Sequence, residues 1–248
     1  MFISSGFLSI QYGVDDKIAK FFTDREPPPN NLYWKDKLMY LRPEPGWLFI
    51  PLIVDLLYKC GIDREQLLSA KFVGLLEDIG HISAMEETQQ INHGQAIEAC
   101  MNLVKNDHTN ELYLQHLIDF IKGGTNNPFS AMATPFKALH RGDYFLFALC
   151  ALQFDAALQT KLIQHWFALI STLLLLDDAD DLSDDINNAD ANAFVESGMQ
   201  KEGIDRIKEL VSSNLKLIGT INRSMAAKLD QGFVSLQKLP HINQLLNQ

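Results

Sequence analysis

The sequence predicts an all-α protein, and three observations carry that prediction. Apolar residues recur three and four positions apart through most of the chain, capping signals precede several of these periodic segments, and no stretch alternates apolar with polar residues as a half-buried strand would. No internal repeat is found, so the expectation is one domain, residues 1–248, built as a single bundle of roughly nine or ten helices.

In chain order, Val14 to Phe22 is expected to form a short helix, which Arg25-Glu26-Pro27-Pro28-Pro29-Asn30-Asn31 breaks. Periodicity resumes at Trp47 and runs to about Cys60, where Gly61 stops it. Asp63 with Gln66 reads as a capping box for one helix through Leu67, Ala70, Val73, Leu76 and Asp78 toward Glu87. Asn92 with Gln95 starts the next, through Ala96, Ala99, Cys100 and Leu103. A further amphipathic segment, Leu112 to Ile121, is closed by Gly123-Gly124-Thr125-Asn126-Asn127-Pro128. Asp143 is expected to cap an apolar helix from Tyr144 to Leu152. A long helix from about Ala157 leads into an aspartate block, and after a polar loop, Asn187 to Asn192, another helix runs from about Phe194 toward Ile221; shorter turns finish the chain. Tyr144 to Leu152 and Trp166 to Leu176 are apolar nearly all round and are placed at the centre.

The aspartate block is the most chemically loaded stretch. From Asp177 to Asp190 there are seven Asp and no Lys or Arg. At 100° per residue, Asp177, Asp178, Asp181, Asp184 and Asp185 form one stripe, which continues the apolar face of Phe167, Ile170, Leu173 and Leu174 and so is expected to point inward. Crowded, desolvated carboxylates need a bound cation or a basic residue from elsewhere in the fold, and hard divalent cations favour oxygen ligands. The plainer reading is a solvated acidic helix end, with Ser183, Asp184 and Asp185 capping the next segment. An EF-hand is excluded: the block has no Gly at the turn position and no Glu closing a twelve-residue loop.

A formal net charge of −10 argues against a nucleic-acid surface. Cys60, Cys100 and Cys150 are widely spaced in apolar helical stretches and read as reduced core thiols of a cytoplasmic protein. The first residues carry no basic segment ahead of an apolar one, so no signal peptide is expected. The longest apolar run, Trp166 to Leu176, falls short of the roughly 20 residues a membrane span needs, so none is expected.

Asp177-Asp178-Ala179-Asp180-Asp181, on a central helix of an all-α chain, resembles the second DDxxD motif of the trans-isoprenyl diphosphate (polyprenyl) synthases and, more broadly, the class I isoprenoid (terpenoid) synthase fold. Tyr144 to Leu152 and the helix through His165 to Leu176 look like the two helices that lead to that motif, and the likeness extends over about Asp63 to Asp185. It implies an isoprenoid-synthase-like bundle around a central cavity walled by the helices bearing Glu77 and Asp177. Mg²⁺ would be held there by Asp177, Asp178 and Asp181. The family's first motif falls on Glu77-Asp78-Ile79-Gly80-His81, making Glu77, Asp78 and His81 weaker metal candidates. The resemblance further implies an isoprenyl diphosphate or related lipid as ligand, with Arg42, His93, Lys137 and Arg141 as its contacts, and a homodimer or heterodimer.

The family pattern is broken in one direction. The family's diphosphate-gripping Arg pair falls on Glu86-Glu87, its basic N-terminal segment reduces to Leu41-Arg42-Pro43, and its Gln before the second motif is Leu174. Elongation needs two diphosphates held together. Two functions are implied: a divergent Mg²⁺-dependent isoprenoid enzyme acting on one allylic diphosphate, or a non-catalytic relative that binds lipid or serves as a regulatory subunit. An unrelated helical bundle with an acidic edge is the third.

Overall fold

A computed structural model describes residues 3–26, 28–32, 49–106 and 108–246 of the 248-residue chain, and among these every regular element is helical. Arg42, with Leu41 and Pro43, and the expected helix start at Trp47 lie outside the described residues. Thirteen α-helices and two 3₁₀ segments are present among the described residues, more than the nine or ten expected, partly because expected single helices are split.

Helices α1 (Ser5–Tyr12) and α2 (Asp16–Asp24) form an N-terminal hairpin, capped by Ser4 and Asp15 and joined at Gly13, whose φ of 62° is left-handed. α3 (Phe49–Cys60) is buried along almost its whole length. The single helix expected from Asp63 to Glu87 is instead α4 (Arg64–Leu67) and α5 (Ala70–Glu87). Ser69 breaks it: its hydroxyl donates to Gln66 O (2.7 Å) and accepts from Phe72 N–H (3.2 Å), so it restarts the chain as an N-cap. Gln66 does not complete the expected capping box; its side chain accepts from Gln153 N–H (3.0 Å). α6 (His93–Val104) has the expected reciprocal Asn92–Gln95 box, and α7 (Glu111–Ile121) follows.

Two 3₁₀ segments come next, Lys137–His140 and Asp143–Ala151. The second replaces the expected α-helix over Tyr144 to Leu152, and Asp143 does not cap it, because its side chain turns to His140 (2.5 Å). Outside donors take carbonyls along this segment: Tyr113 Oη donates to Leu146 O (2.9 Å) and Thr109 N–H to Cys150 O (2.8 Å). With its residues buried against α5, α6 and α7, packing rather than helical propensity sets its geometry.

The central element is α8 (Ala156–Asp180), capped by Asp155 and packed against α3. Among the described residues it is the one helix long and apolar enough to cross a membrane, but 89% of its most apolar 18-residue window is buried inside the protein. α9 (Leu182–Asn188) ends at Ala189 with φ 58°, and α10 (Ala193–Glu196) is a single turn capped by Asn192. α11 (Lys201–Gly219), α12 (Arg223–Leu236) and α13 (Pro240–Leu246) finish the chain, α11 and α12 packing against each other and against α8. The single helix expected from Phe194 to Ile221 is therefore interrupted between α10 and α11. Gly198 and Met199 both adopt positive φ, and a Cβ on Gly203 would stand 2.1 Å from Ser197 O, so the chain doubles back where only glycine fits.

One hydrophobic cluster links residues from Ile3 to Ile242. Within it a buried polar knot ties the N-terminal hairpin to α3 and α12. Asp55, fully buried, accepts from Asp15 N–H (2.7 Å), Lys59 Nζ (2.6 Å) and Asn222 Nδ2 (2.9 Å). Burial raises the Asp55 pKa, and Lys59 offsets part of that rise. Asn222 also donates to Tyr12 O (3.0 Å) and caps α12 by accepting from Met225 N–H (3.0 Å). Asn222→Ala therefore removes a cap and leaves buried acceptors unmet, and a loss of about 2–4 kcal/mol in urea unfolding is expected. A change within about 0.5 kcal/mol would show that the knot does not hold the hairpin.

Candidate functional site

The inward stripe of carboxylates is not found, because α8 stops at Asp181 and the projection of one helix fails beyond it. Asp178 alone is fully buried; Asp177 is half-buried, and Asp181 and Asp184 are exposed. Both oxygens of Asp178 are engaged by the protein: Oδ1 accepts from Arg141 Nη2 (2.6 Å) and Oδ2 from Ala193 N–H (2.7 Å). Asp177 Oδ2 accepts from the same Arg141 nitrogen (3.2 Å), and Arg141 Nη1 donates to Ala138 O (2.9 Å). Asn192 Nδ2 bridges Asp178 O (2.7 Å) and Asp185 Oδ2 (2.8 Å). The compensating charge is thus a basic residue 37 positions away in sequence.

Burial drives the Asp178 pKa up to about 6, although Arg141 and the Ala193 N–H pull it back. Asp177 is raised by burial first, with Arg141 opposing and Asp185 and Asp180 adding to the rise. Asp181 is raised by desolvation and then by its acidic neighbours, Asp177 first.

The weaker metal candidates are also placed. Glu77 is buried and forms a bidentate pair with Arg25, whose Nη2 lies 2.7 Å from Oε2. Asp78 is exposed, and His81 Nδ1 accepts from Leu32 N–H (3.0 Å). No group of three or more His, Cys, Asp or Glu able to hold a metal ion is present among the described residues.

Three of the four residues expected to contact diphosphate do converge. His93, Lys137 and Arg141 line one polar cavity of about 450 Å³, together with His140, Asn192 and two acids, Asp190 and Glu196. Neither Glu77 nor Asp177 lines it. The 3₁₀ turn Lys137–His140 carries Lys137 and His140 into the cavity, Arg141 follows it directly, and α10 packs against that turn. Glu196 binds across this contact, its two oxygens accepting from Lys137 N–H and Ala138 N–H (both 2.9 Å). His140 is held by Asp143 Oδ2 and by Thr134 O (2.9 Å). Burial alone lowers the His140 pKa, but Asp143 and the Thr134 carbonyl outweigh it and the net shift is upward. Asp143 is raised as well, by burial first, with His140 opposing the rise.

His93 Nδ1 lies 2.7 Å from Glu86 Oε1. The acid that replaces the expected Arg pair therefore meets the histidine of the same expected pocket, a pairing no local motif announces. Glu196 carries no sequence signal of its own, since it reaches residues 58 and 59 positions away, and Asn192, an N-cap by position, gives no local hint of its contacts with Asp178 and Asp185. Cys60, Cys100 and Cys150 are free and buried, as expected.

Compared with family models, curated proteins and solved structures, the chain matches none.

The Arg141–Asp178 pair yields a test with a definite sign. Asp178 has a folded-state pKa above its unfolded value, so its contribution to stability is fully present below the unfolded pKa, near 4, and is lost as pH rises through about 6. Arg141→Met leaves that charge buried without its cation and should cost about 3–5 kcal/mol at pH 7.5, with a smaller deficit at pH 5. Adding Asp178→Asn should recover more than half of the loss at pH 7.5, since the amide oxygen still accepts from Ala193 N–H. Urea unfolding at both pH values reads these differences, and a pH-independent deficit would contradict the assignment.

Proposed function

We propose that this chain is a non-catalytic isoprenoid-synthase-like protein that captures the diphosphate of an isoprenyl lipid, or a related anionic lipid head, in the polar cavity. The observation that carries the reading is the convergence of His93, Lys137 and Arg141 on one cavity of about 450 Å³, a size ordinary for small-ligand sites. Lys137 supplies a point charge and Arg141 a guanidinium already oriented by Asp178 and Ala138 O. Val195, 39% exposed, gives the cavity an apolar edge beside which a hydrocarbon chain can lie.

The enzyme reading asks for carboxylates that can hold Mg²⁺ against the leaving group. Here Asp178 has both oxygens committed, Asp177 shares Arg141, and Glu77 is locked by Arg25. Freeing Asp178 requires breaking a buried charged pair, which costs several kcal/mol before any metal is gained. Capture without ionisation needs no such rearrangement.

The test is calorimetric titration of farnesyl diphosphate in EDTA. Binding is expected without divalent cation, weakened roughly tenfold, about 1.4 kcal/mol, by Lys137→Ala. Glu196→Gln should tighten it, because the change removes a carboxylate from the cavity wall while the amide oxygen still accepts from one of the two backbone N–H groups. No product should form with or without isopentenyl diphosphate and Mg²⁺. Mg²⁺-dependent turnover, or binding indifferent to Lys137, would overturn the reading.

A further inference from the structure

A second cavity, of about 510 Å³, lies between α11 and α12 and is flanked by α13. Its walls are apolar. Ile207, Val211 and Leu215 recur every four residues along α11, and Phe233 and Leu236 face them from α12. Val211, Leu215, Phe233 and Leu236 are only half-buried, so the apolar surface is left incompletely covered by the fold itself. The floor is Ala179 and Phe194.

The rim has a sign. Lys208 and Lys216 both line the cavity, with Ser212 midway between them, whereas Asp230 is the one acid in the lining among the described residues. Lys208 and Lys216 are eight residues apart, about 12 Å along the helix, so they border an elongated groove. The Lys208–Asp205 contact is long (3.6 Å), with both side chains about half exposed, which makes it a weak surface pair. With Asp205 beside Lys208, Lys216 is the rim cation that favours an anionic head. An elongated apolar trough selects for a single unbranched chain, and its volume falls in the range of small-ligand sites.

We infer that this groove binds a long-chain fatty acid, its hydrocarbon between α11 and α12 and its carboxylate at Lys216. The site uses none of the residues of the polar cavity and does not depend on the function proposed for that cavity.

The experiment is titration of the full chain with palmitate below its micellar concentration, with hexadecanol as the uncharged control. Saturable binding of one palmitate is expected, at least tenfold tighter than hexadecanol. The double variant Lys208→Ala with Lys216→Ala should lose that preference and retain the weaker alcohol affinity. Ala227→Trp, at an exposed lining position, should fill the groove and abolish both, while thermal unfolding shows the variant folded. Lys137→Ala, which weakens the polar cavity, should leave palmitate binding unchanged. Equal binding of acid and alcohol, unaltered binding in Ala227→Trp, or attachment to phosphatidylglycerol vesicles without binding of monomeric palmitate would each overturn the inference.

Discussion

The arrangement around the polar cavity depends on one buried contact, Arg141 to Asp178. Asp178 is the last fully buried polar residue of α8, and Arg141 lies just beyond the 3₁₀ turn that carries Lys137 and His140. The same carboxylate takes Ala193 N–H, the first residue of α10. Three segments distant in sequence are therefore joined by two oxygen atoms, and without Arg141 the fully buried Asp178 would be left a charge with only the Ala193 N–H to meet it. Burial raises the Asp178 pKa although Arg141 opposes the rise, and the contact joins the end of α8 to the segment just beyond the 3₁₀ turn.

The same arrangement recurs elsewhere in the fold. Asp55 is met by Lys59, a backbone N–H and Asn222; Glu77 is met by Arg25. Each of these buried acids has its own basic partner, and in the Asp55 and Asp178 sites a backbone N–H completes the shell. This distribution accounts for the behaviour of the acidic block. Its excess charge, at Asp180, Asp181 and Asp184, faces water, where mutual repulsion is screened, and only Asp178, which has both the shorter Arg141 contact and the Ala193 N–H, goes fully inside.

The helical class was legible from periodicity, and the Asn92–Gln95 capping box was legible because all its parts lie within four residues. The long helix into the Asp block was legible for the same reason. The break at Ser69 is local, an N-cap three residues from each of its partners, Gln66 and Phe72, which the periodicity from Leu67 to Leu76 overrode. The 3₁₀ geometry of Asp143–Ala151, by contrast, accompanies donors from distant segments, on Thr109 and Tyr113. The inward stripe failed because an angular projection assumes that the helix continues, whereas α8 ends inside the motif itself. Part of the site was legible nonetheless: His93, Lys137 and Arg141 share a cavity, but the carboxylates that shape it, Glu196 and Asp178, reach it from positions whose role no local pattern assigns.

The short helix α10 stands where the two cavities come closest in sequence. Phe194 lines the apolar one, and the next two residues, Val195 and Glu196, line the polar one. A single turn cannot keep its shape by its own hydrogen bonds, because helix nucleation is unfavourable and only later residues recover its cost. It is held instead from outside, by Asn192 at its cap, by Asp178 at Ala193 and by the backbone of Lys137 and Ala138 at Glu196. Any ligand that shifts Phe194 therefore acts on a segment whose other contacts are the walls of the polar cavity. The Asp178 contact with Ala193 N–H thus holds in place a turn that borders both cavities.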